Sequence, residues 1–272
     1  MKNQKNKTIF DLLNEKYQSE TIYQTEIDFI DKPLKGGFAM GQLVTITGKQ
    51  EAGKTQLLNQ ILCNVANGFK SLYFSLEFNK RQVAKYFQNK LNSKTTTKKA
   101  LNNIYIITND MIDTEISNII ETIEYFIKEL GVKFIAIDST LAIYNKDYTG
   151  EQEVTEIFRQ LQKVTLENDV LLLVISQSSK QDNKENRISI FGSQKANHYT
   201  NIMIHIKYNK DETRELIFAK NKQTGIHSKI KLEFDRENLL FIPVKEEKTS
   251  SPKSNSKNDD DNKKKTITEL LF

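Results

Sequence analysis

The octapeptide Gly48-Lys49-Gln50-Glu51-Ala52-Gly53-Lys54-Thr55 constrains this chain more than any other stretch. It fits Gly-x4-Gly-Lys-Thr, a turn whose backbone N–H groups close around a phosphate chain. The preceding Leu43-Val44-Thr45-Ile46-Thr47 is apolar and β-branched and reads as a strand. Over residues 56–67, Leu57, Leu58, Ile61, Leu62 and Val65 share one helical face. Strand, glycine turn and helix in that order demand an α/β unit. Gly48 and Gly53 let the backbone curl, and the helix N-terminus adds free donors and partial positive charge. Lys54 reaches the terminal phosphates and the Thr55 hydroxyl ligates Mg²⁺. The whole loop from Gly48 to Thr55 is therefore expected to hold a nucleotide, with ATP and Mg²⁺ as its cofactors.

At 272 residues the chain can bury one large core, or one core plus tails. A net charge of +5 permits a nucleic-acid partner without arguing for one. Cys63 is the sole cysteine and falls in the predicted helix, which excludes a disulfide framework and a cysteine zinc site. It is expected to be a small packing residue. Residues 1–7 are polar with no apolar signal core behind them, and no apolar stretch approaches a membrane span. These features read as a soluble, cytoplasmic protein without a membrane partner.

Beyond the loop, strands and helices alternate. Strands are expected at 43–47, 71–76, 104–107, 133–138 and 170–176, and helices at 54–67, 79–91, 113–130 and 151–168. In the 113–130 helix Asp113 is the expected cap, Ile116, Ile119, Ile120, Ile123 and Ile127 face inward, and Gly131 ends it. Such alternation predicts an α/β fold, a mostly parallel twisted sheet with flanking helices. After Ser178, strands at 201–208, 214–220, 228–234 and 238–242 predict a C-terminal β-meander that continues the sheet. Residues 245–265 are Lys, Ser, Asn, Asp and Glu with one proline and are expected to be disordered. Apolar character returns at 266–272.

Three predicted strands end in polar residues at the edge where an α/β sheet binds ligands. Lys133-Phe-Ile-Ala-Ile-Asp138 is the second nucleotide motif, whose Asp138 joins Thr55 around the metal. Tyr73-Phe-Ser-Leu-Glu77 puts a carboxylate beside the same crevice, either to take a proton from attacking water or merely to cap a helix. Gln177 follows the 170–176 strand, as a sensor of the γ-phosphate or an ordinary loop amide.

In order along residues 22–242, these boxes resemble the RecA-like P-loop NTPase core of DnaB-type replicative helicases. Phe29-Ile-Asp-x-x-Leu-x-Gly-Gly-Phe and Gly41-Gln-Leu-Val resemble the family's lead-in, and Ser75-Leu-Glu-Phe78 its Ser-Leu-Glu-Met box. Asp138 matches its metal motif and Ile175-Ser-Gln177 its sensor, while Phe218-Ala-Lys-Asn-Lys-Gln-Thr-Gly225 and Lys231-Leu-x-Phe-Asp235 resemble its closing hairpin. The resemblance implies that Glu77, Lys54 and Gln177 are catalytic. It also implies that Lys220 and Lys222 act on a neighbouring subunit's nucleotide. The chain departs from the family in three ways. About twenty residues precede the lead-in, implying a core-only form without the primase-contacting domain. The segment between Tyr86 and Leu101 is short. Lys222 stands where the family has an arginine finger, so that Lys220-Asn221-Lys222 is similar to RecA-type recombinases; a lysine supplies the charge but no bidentate fork.

The implied partners are single-stranded DNA and further copies of the chain in a hexameric ring. Loops 142–152 and 179–197 are the candidates for DNA contact, the second through Lys180, Lys184, Arg187 and Lys195. The basic run from Lys90 to Lys99 reads as solvated surface. Thr8-Ile-Phe-Asp-Leu-Leu13 and Thr266-Ile-Thr-Glu-Leu-Leu271 share the pattern Thr-Ile-x-acid-Leu-Leu. By position the first is the family's linker helix, and the second is a candidate site for a protein partner or for the same groove. The expected organisation is a linker helix in 1–21, the ATPase domain in 22–244, a linker in 245–265 and a motif in 266–272. The expected activity is ATP hydrolysis driving a helicase or translocase in DNA replication. A recombinase-like filament ATPase and a regulatory ATPase that binds a protein partner are the alternatives.

Overall fold

The computed structural model describes residues 8–14, 21–178 and 188–244. In chain order the elements are α1 (Ile9–Asn14), β1 (Ile22–Tyr23), α2 (Asp28–Asp31), β2 (Phe38–Ala39), β3 (Leu43–Gly48), α3 (Lys54–Val65), β4 (Ser71–Ser75), α4 (Lys80–Asn92) and α5 (Lys98–Asn102). There follow β5 (Ile104–Thr108), α6 (Ile116–Leu130), β6 (Phe134–Asp138), α7 (Gly150–Asn168), β7 (Leu171–Ile175), β8 (Ile202–Tyr208), β9 (Arg214–Asn221), β10 (Lys229–Asp235) and β11 (Leu240–Pro243). The linker 245–265, the 266–272 motif and the ends of the 1–21 segment lie outside the described residues.

Nine strands form one sheet in the order β11-β10-β9-β8-β3-β7-β6-β4-β5. From β8 to β5 every pairing is parallel, and β8 to β11 run antiparallel to one another. The expected parallel sheet with its meander is what the chain forms. Both faces are covered, so the central strands must be apolar on both sides. On β7, Leu171, Leu173 and Ile175 join a core under α3 and α4, while Leu172 and Val174 join a second core under α6 and α7. Alternating side chains thus divide the interior into two layers.

Helix ends depart locally from the sequence reading. Glu115, not Asp113, caps α6: its extended backbone lets its carboxylate accept the Ser117 N–H at 2.7 Å, while Asp113 takes the Tyr144 hydroxyl at 3.0 Å. Gly131 ends α6 at φ +68°, where a side chain would be strained. Lys90 is not solvated. It is fully buried, and its ammonium donates to the Leu239 carbonyl at 3.1 Å, tying α4 to the β10–β11 turn. Cys63 is buried as expected. In α1, Thr8 and Asp11 exchange backbone and side-chain hydrogen bonds at 2.8 and 3.1 Å, a reciprocal cap. No described helix is long and apolar enough to cross a membrane.

Candidate active site

The phosphate loop leaves the end of β3 between two close approaches. A Cβ on Gly48 would lie 2.5 Å from the Ile206 carbonyl oxygen, and one on Gly53 would lie 2.6 Å from the Phe241 ring. Gly53 also caps α3 at φ +100°, a conformation that glycine alone adopts without strain. The Lys54 ammonium folds over the loop and donates to the Lys49 carbonyl at 2.7 Å and the Gly48 carbonyl at 3.1 Å. Within the loop, Ala52 is fully buried.

Parallel register delivers the other groups. Ser75 of β4 pairs with Asp138 of β6, so Glu77, two residues beyond β4, arrives beside Asp138 and Ser139. The Thr55 hydroxyl donates to Asp138 Oδ2 at 2.7 Å, and the Ser139 hydroxyl donates to Glu77 Oε1 at 2.5 Å. Gln177, two residues beyond β7, closes the same cavity of about 310 Å³. Gln50, Glu51, Gly53, Lys54, Thr55, Glu77, Asp138 and Ser139 also border it. Sequence reading overlooked Ser139, whose place next to Asp138 puts it at the strand end but does not show its contact with Glu77. It also overlooked Gln56, which borders the cavity and accepts the Tyr86 hydroxyl of α4 at 2.8 Å.

Desolvation dominates the electrostatics. Burial pushes the Asp138 carboxyl up to about 6; the Thr55 hydrogen bond opposes this, the Glu77 charge adds to it and Lys54 opposes it. Burial also pulls Lys54 below its ordinary range, against the attraction of Asp138 and Glu77. Behind the loop, His205 of β8 shares a 3.0 Å hydrogen bond with Thr47. Burial and then the charge of Lys54 lower it to about 4, so the ring is neutral. The described residues include no group of three or more His, Cys, Asp or Glu placed to hold a metal ion. The donor set at the loop is two hard oxygens, from Thr55 and Asp138. That fits Mg²⁺, which keeps water and phosphate oxygens rather than an all-protein cage.

Lys220 and Lys222 lie elsewhere. Register places Asn221 opposite Ile202 and Gly48 opposite Ile206 on the intervening β8. The lysine pair is therefore roughly 13 Å down the sheet from its own phosphate loop, at about 3.3 Å per residue. The Lys220 and Lys222 ammoniums donate to the Asn197 and His198 carbonyls of a short 3₁₀ turn, Lys195–His198. Burial, then repulsion by Lys222, lowers Lys220 to about 8. Lys195 is exposed on that same turn, whereas Lys180, Lys184 and Arg187 lie outside the described residues.

A profile described as "ATPase: KaiC" matches residues 23–248. The chain belongs to this KaiC-type family of ATPases. Among curated proteins it is 28% identical over 177 residues to "DNA repair protein RadA" of Aquifex aeolicus, covering 64% of this chain and 36% of that one. It is 27% identical over 201 residues to the Campylobacter jejuni protein of the same name, covering 72% and 40%. The chain thus spans about two fifths of the length of the curated relatives it matches. Among solved structures, one described as an ATPase domain superposes with a TM-score of 0.70 at 18% identity, over 87% of this chain and 96% of that one. A structure described as a DnaB-like replicative helicase with its interactions with primase gives 0.66 at 20% identity, over 83% and 62%. At these identities the structural likeness establishes the RecA-like fold. Family and fold together make the chain a nucleotide-binding ATPase.

Proposed function

We propose that this chain is an ATP-dependent, ring-forming DNA helicase or translocase of the DnaB-like kind, working on single-stranded DNA in the cytoplasm during replication. One observation supports the reading: Lys220 and Lys222 lie at and just beyond the C-terminal end of β9, roughly 13 Å along the sheet from their own phosphate loop, so that a nucleotide they act on would be a second copy's. In this reading Lys54 neutralises charge on the β and γ phosphates. Thr55 and Asp138 would hold Mg²⁺, which when bound supplies further neutralisation of that charge. Glu77, held by the Ser139 hydroxyl, takes the proton from attacking water. Gln177, which borders the cavity, would sense the γ-phosphate, and its backbone carbonyl accepts the Phe191 N–H at 2.8 Å. A change at the phosphate would thereby reach the loop that leads on to Lys195, Lys220 and Lys222. That continuity supports coupling between one nucleotide site and the next subunit.

A second reading, a DNA-repair or recombination ATPase that assembles on DNA, is favoured by the name of the curated relatives and by the Lys220-Asn221-Lys222 triplet. Negative-stain images with ATP and single-stranded DNA separate the two. Closed rings support the helicase reading, open filaments the second, and isolated monomers count against both.

A further inference from the structure

The chain neighbours of Ser139 and Gln177 border a second cavity, of about 300 Å³. Leu141, Ile143, Val154, Ile157, Phe158 and Phe191 supply its apolar surface. Phe191 stands on a turn, 190–193, that is fixed against α7. The Ser193 and Thr155 hydroxyls share a 2.8 Å hydrogen bond, and a Cβ on Gly192 would lie 3.1 Å from Val154 Cγ2. Leu141 and Phe191 are nevertheless 48% and 45% exposed, so the cavity opens through an apolar mouth. Its charge has one sign. Glu151 and Glu153 border it, and no described Lys or Arg does. Over 145–153 three acids, Asp147, Glu151 and Glu153, stand against Lys146, a net charge of −2. Such a rim repels a phosphate backbone and attracts a basic segment.

Basic and apolar residues occur together in Lys263-Lys264-Lys265 followed by Thr266-Ile267-Thr268-Glu269-Leu270-Leu271. Ile267, Leu270 and Leu271 stand at i, i+3 and i+4, the anchor spacing of a helix that lays one face in a groove. The similar stretch at 8–13 does not fill the cavity: it forms α1, Ile9 and Phe10 are exposed, and none of its residues borders the cavity. Reach allows the C-terminal segment to do so. In the sheet β11 is five strands from β7, roughly 24 Å at about 4.8 Å per strand. Residues 245–262 can extend to about 60 Å. A wider apolar groove lies nearer, bordered by Ile226, Ile230 and Pro243, but its charged borders, Asp28 and Lys32, neutralise each other at 2.8 Å. We propose that residues 263–272 dock on the acidic-rimmed cavity of their own chain, seating Ile267, Leu270 and Leu271 in it and setting Lys263, Lys264 and Lys265 against Glu151 and Glu153. The docked segment meets Thr140 and Ser176, each one residue from a group that borders the phosphate-loop cavity. The inference concerns a surface and stands apart from the reaction proposed at that loop.

The test is disulfide trapping in the full chain under oxidised glutathione, followed by non-reducing gels and intact mass; Cys63 is buried. One variant pairs Thr268→Cys with Leu141→Cys at the mouth of the cavity. The comparison pairs Thr268→Cys with Ile226→Cys on the other groove, nearer the point where the segment leaves β11. The first pair should close at least tenfold faster than the second. Adding Leu270→Ser and Leu271→Ser should slow it more than tenfold, because both anchors lose their apolar burial. Changing Lys263, Lys264 and Lys265 to Gln should slow it about threefold at low salt. These tail changes lie outside the folded core, so a slower rate cannot come from unfolding it. Without any added cysteine, amide exchange over 150–158 should be slower in the wild-type chain than in Leu270→Ser/Leu271→Ser. Equal or faster closure at Ile226 would overturn the proposal, as would a rate that either tail change leaves as it was, or identical exchange in the two chains. Disulfides formed mainly between two chains at micromolar protein would overturn docking within one chain.

Discussion

In the proposed mechanism Glu77, as base, depends on a neighbour that does no chemistry itself. The Ser139 hydroxyl meets Glu77 Oε1 at 2.5 Å and is almost fully buried. Ser139→Ala removes the donor without opening a large void. It should lower kcat by on the order of tenfold, because a misplaced base loses much of its advantage, while KM for ATP moves little. Ser139→Thr keeps a hydroxyl and should recover part of the rate. Steady-state kinetics on the three proteins decides the matter, and equal kcat in all of them would remove Ser139 from the site. A second residue-scale expectation concerns His205. Its pKa is about 4 in the fold against an ordinary 6.5, so the unfolded chain binds the proton first. The stability this contributes is present above pH 6.5 and is lost as pH falls toward 4. His205→Gln should therefore flatten urea-unfolding stability between pH 7.5 and 4.5, by roughly 1–3 kcal/mol relative to wild type. Parallel curves would sink the claim. Asp138, Glu77 and Gln177 were legible as polar ends of apolar strands, whereas Ser139 was not. Its role exists only because β4 and β6 lie in register, and that pairing is a long-range fact no local pattern encodes.

At the scale of elements, the phosphate loop and the meander hold each other in place. Gln60 of α3 accepts the Phe241 N–H at 2.9 Å and donates to the Phe241 carbonyl at 3.3 Å, and the Phe241 ring fills the space beside Gly53. Gly53→Ala faces two penalties: a left-handed φ of +100°, and a Cβ 2.6 Å from that ring. It should cost about 2–4 kcal/mol of stability and abolish nucleotide binding, since backbone strain of this kind costs about 1–3 kcal/mol before any clash is added. Adding Phe241→Leu removes the clash but not the strain, so the double variant should melt above Gly53→Ala and below wild type. A double variant no more stable than Gly53→Ala would mean that the ring yields freely. The glycine was legible from its motif and the strand and helix around it from periodicity. The reason for the glycine's rigidity was not, because Phe241 lies far along the chain in a short edge strand, Leu240–Pro243, whose continuous apolar run does not show which residue meets the loop. The same limit explains α6 and Lys90. Asp113 and Glu115 are equally plausible caps until Tyr144 claims the former. A lysine in a basic run looks solvated until the Leu239 carbonyl is placed above it.

The whole molecule holds half of each proposed hydrolytic site at either end of its sheet. Lys54, Thr55, Glu77, Asp138 and Gln177 converge at the C-terminal ends of β3, β4, β6 and β7, while Lys220 and Lys222 lie at the opposite end of β9. Sequence order alone could not reveal this separation. It follows from the antiparallel return of β9 along β8, which carries its last residues away from the loop. If the halves join between copies, Lys54→Ala and Lys222→Ala subunits are each inactive for different reasons. In a mixed assembly, Lys222→Ala contributes an intact phosphate loop and Lys54→Ala contributes the lysine pair to its neighbour. With equal amounts randomly placed around a head-to-tail ring, about a quarter of the interfaces unite two intact halves. Independent sites should then recover about a quarter of wild-type ATPase activity, and strictly sequential firing around the ring should recover much less. The measurement is ATPase activity of the two variants alone and mixed, with native mass spectrometry confirming mixed oligomers. Recovery near a quarter supports a shared site with independent firing, and weak but measurable recovery supports a shared site with coupled firing. No recovery in confirmed mixed rings, or Lys222→Ala subunits that hydrolyse ATP at the wild-type rate on their own, would show that Lys222 does not complete the neighbour's site.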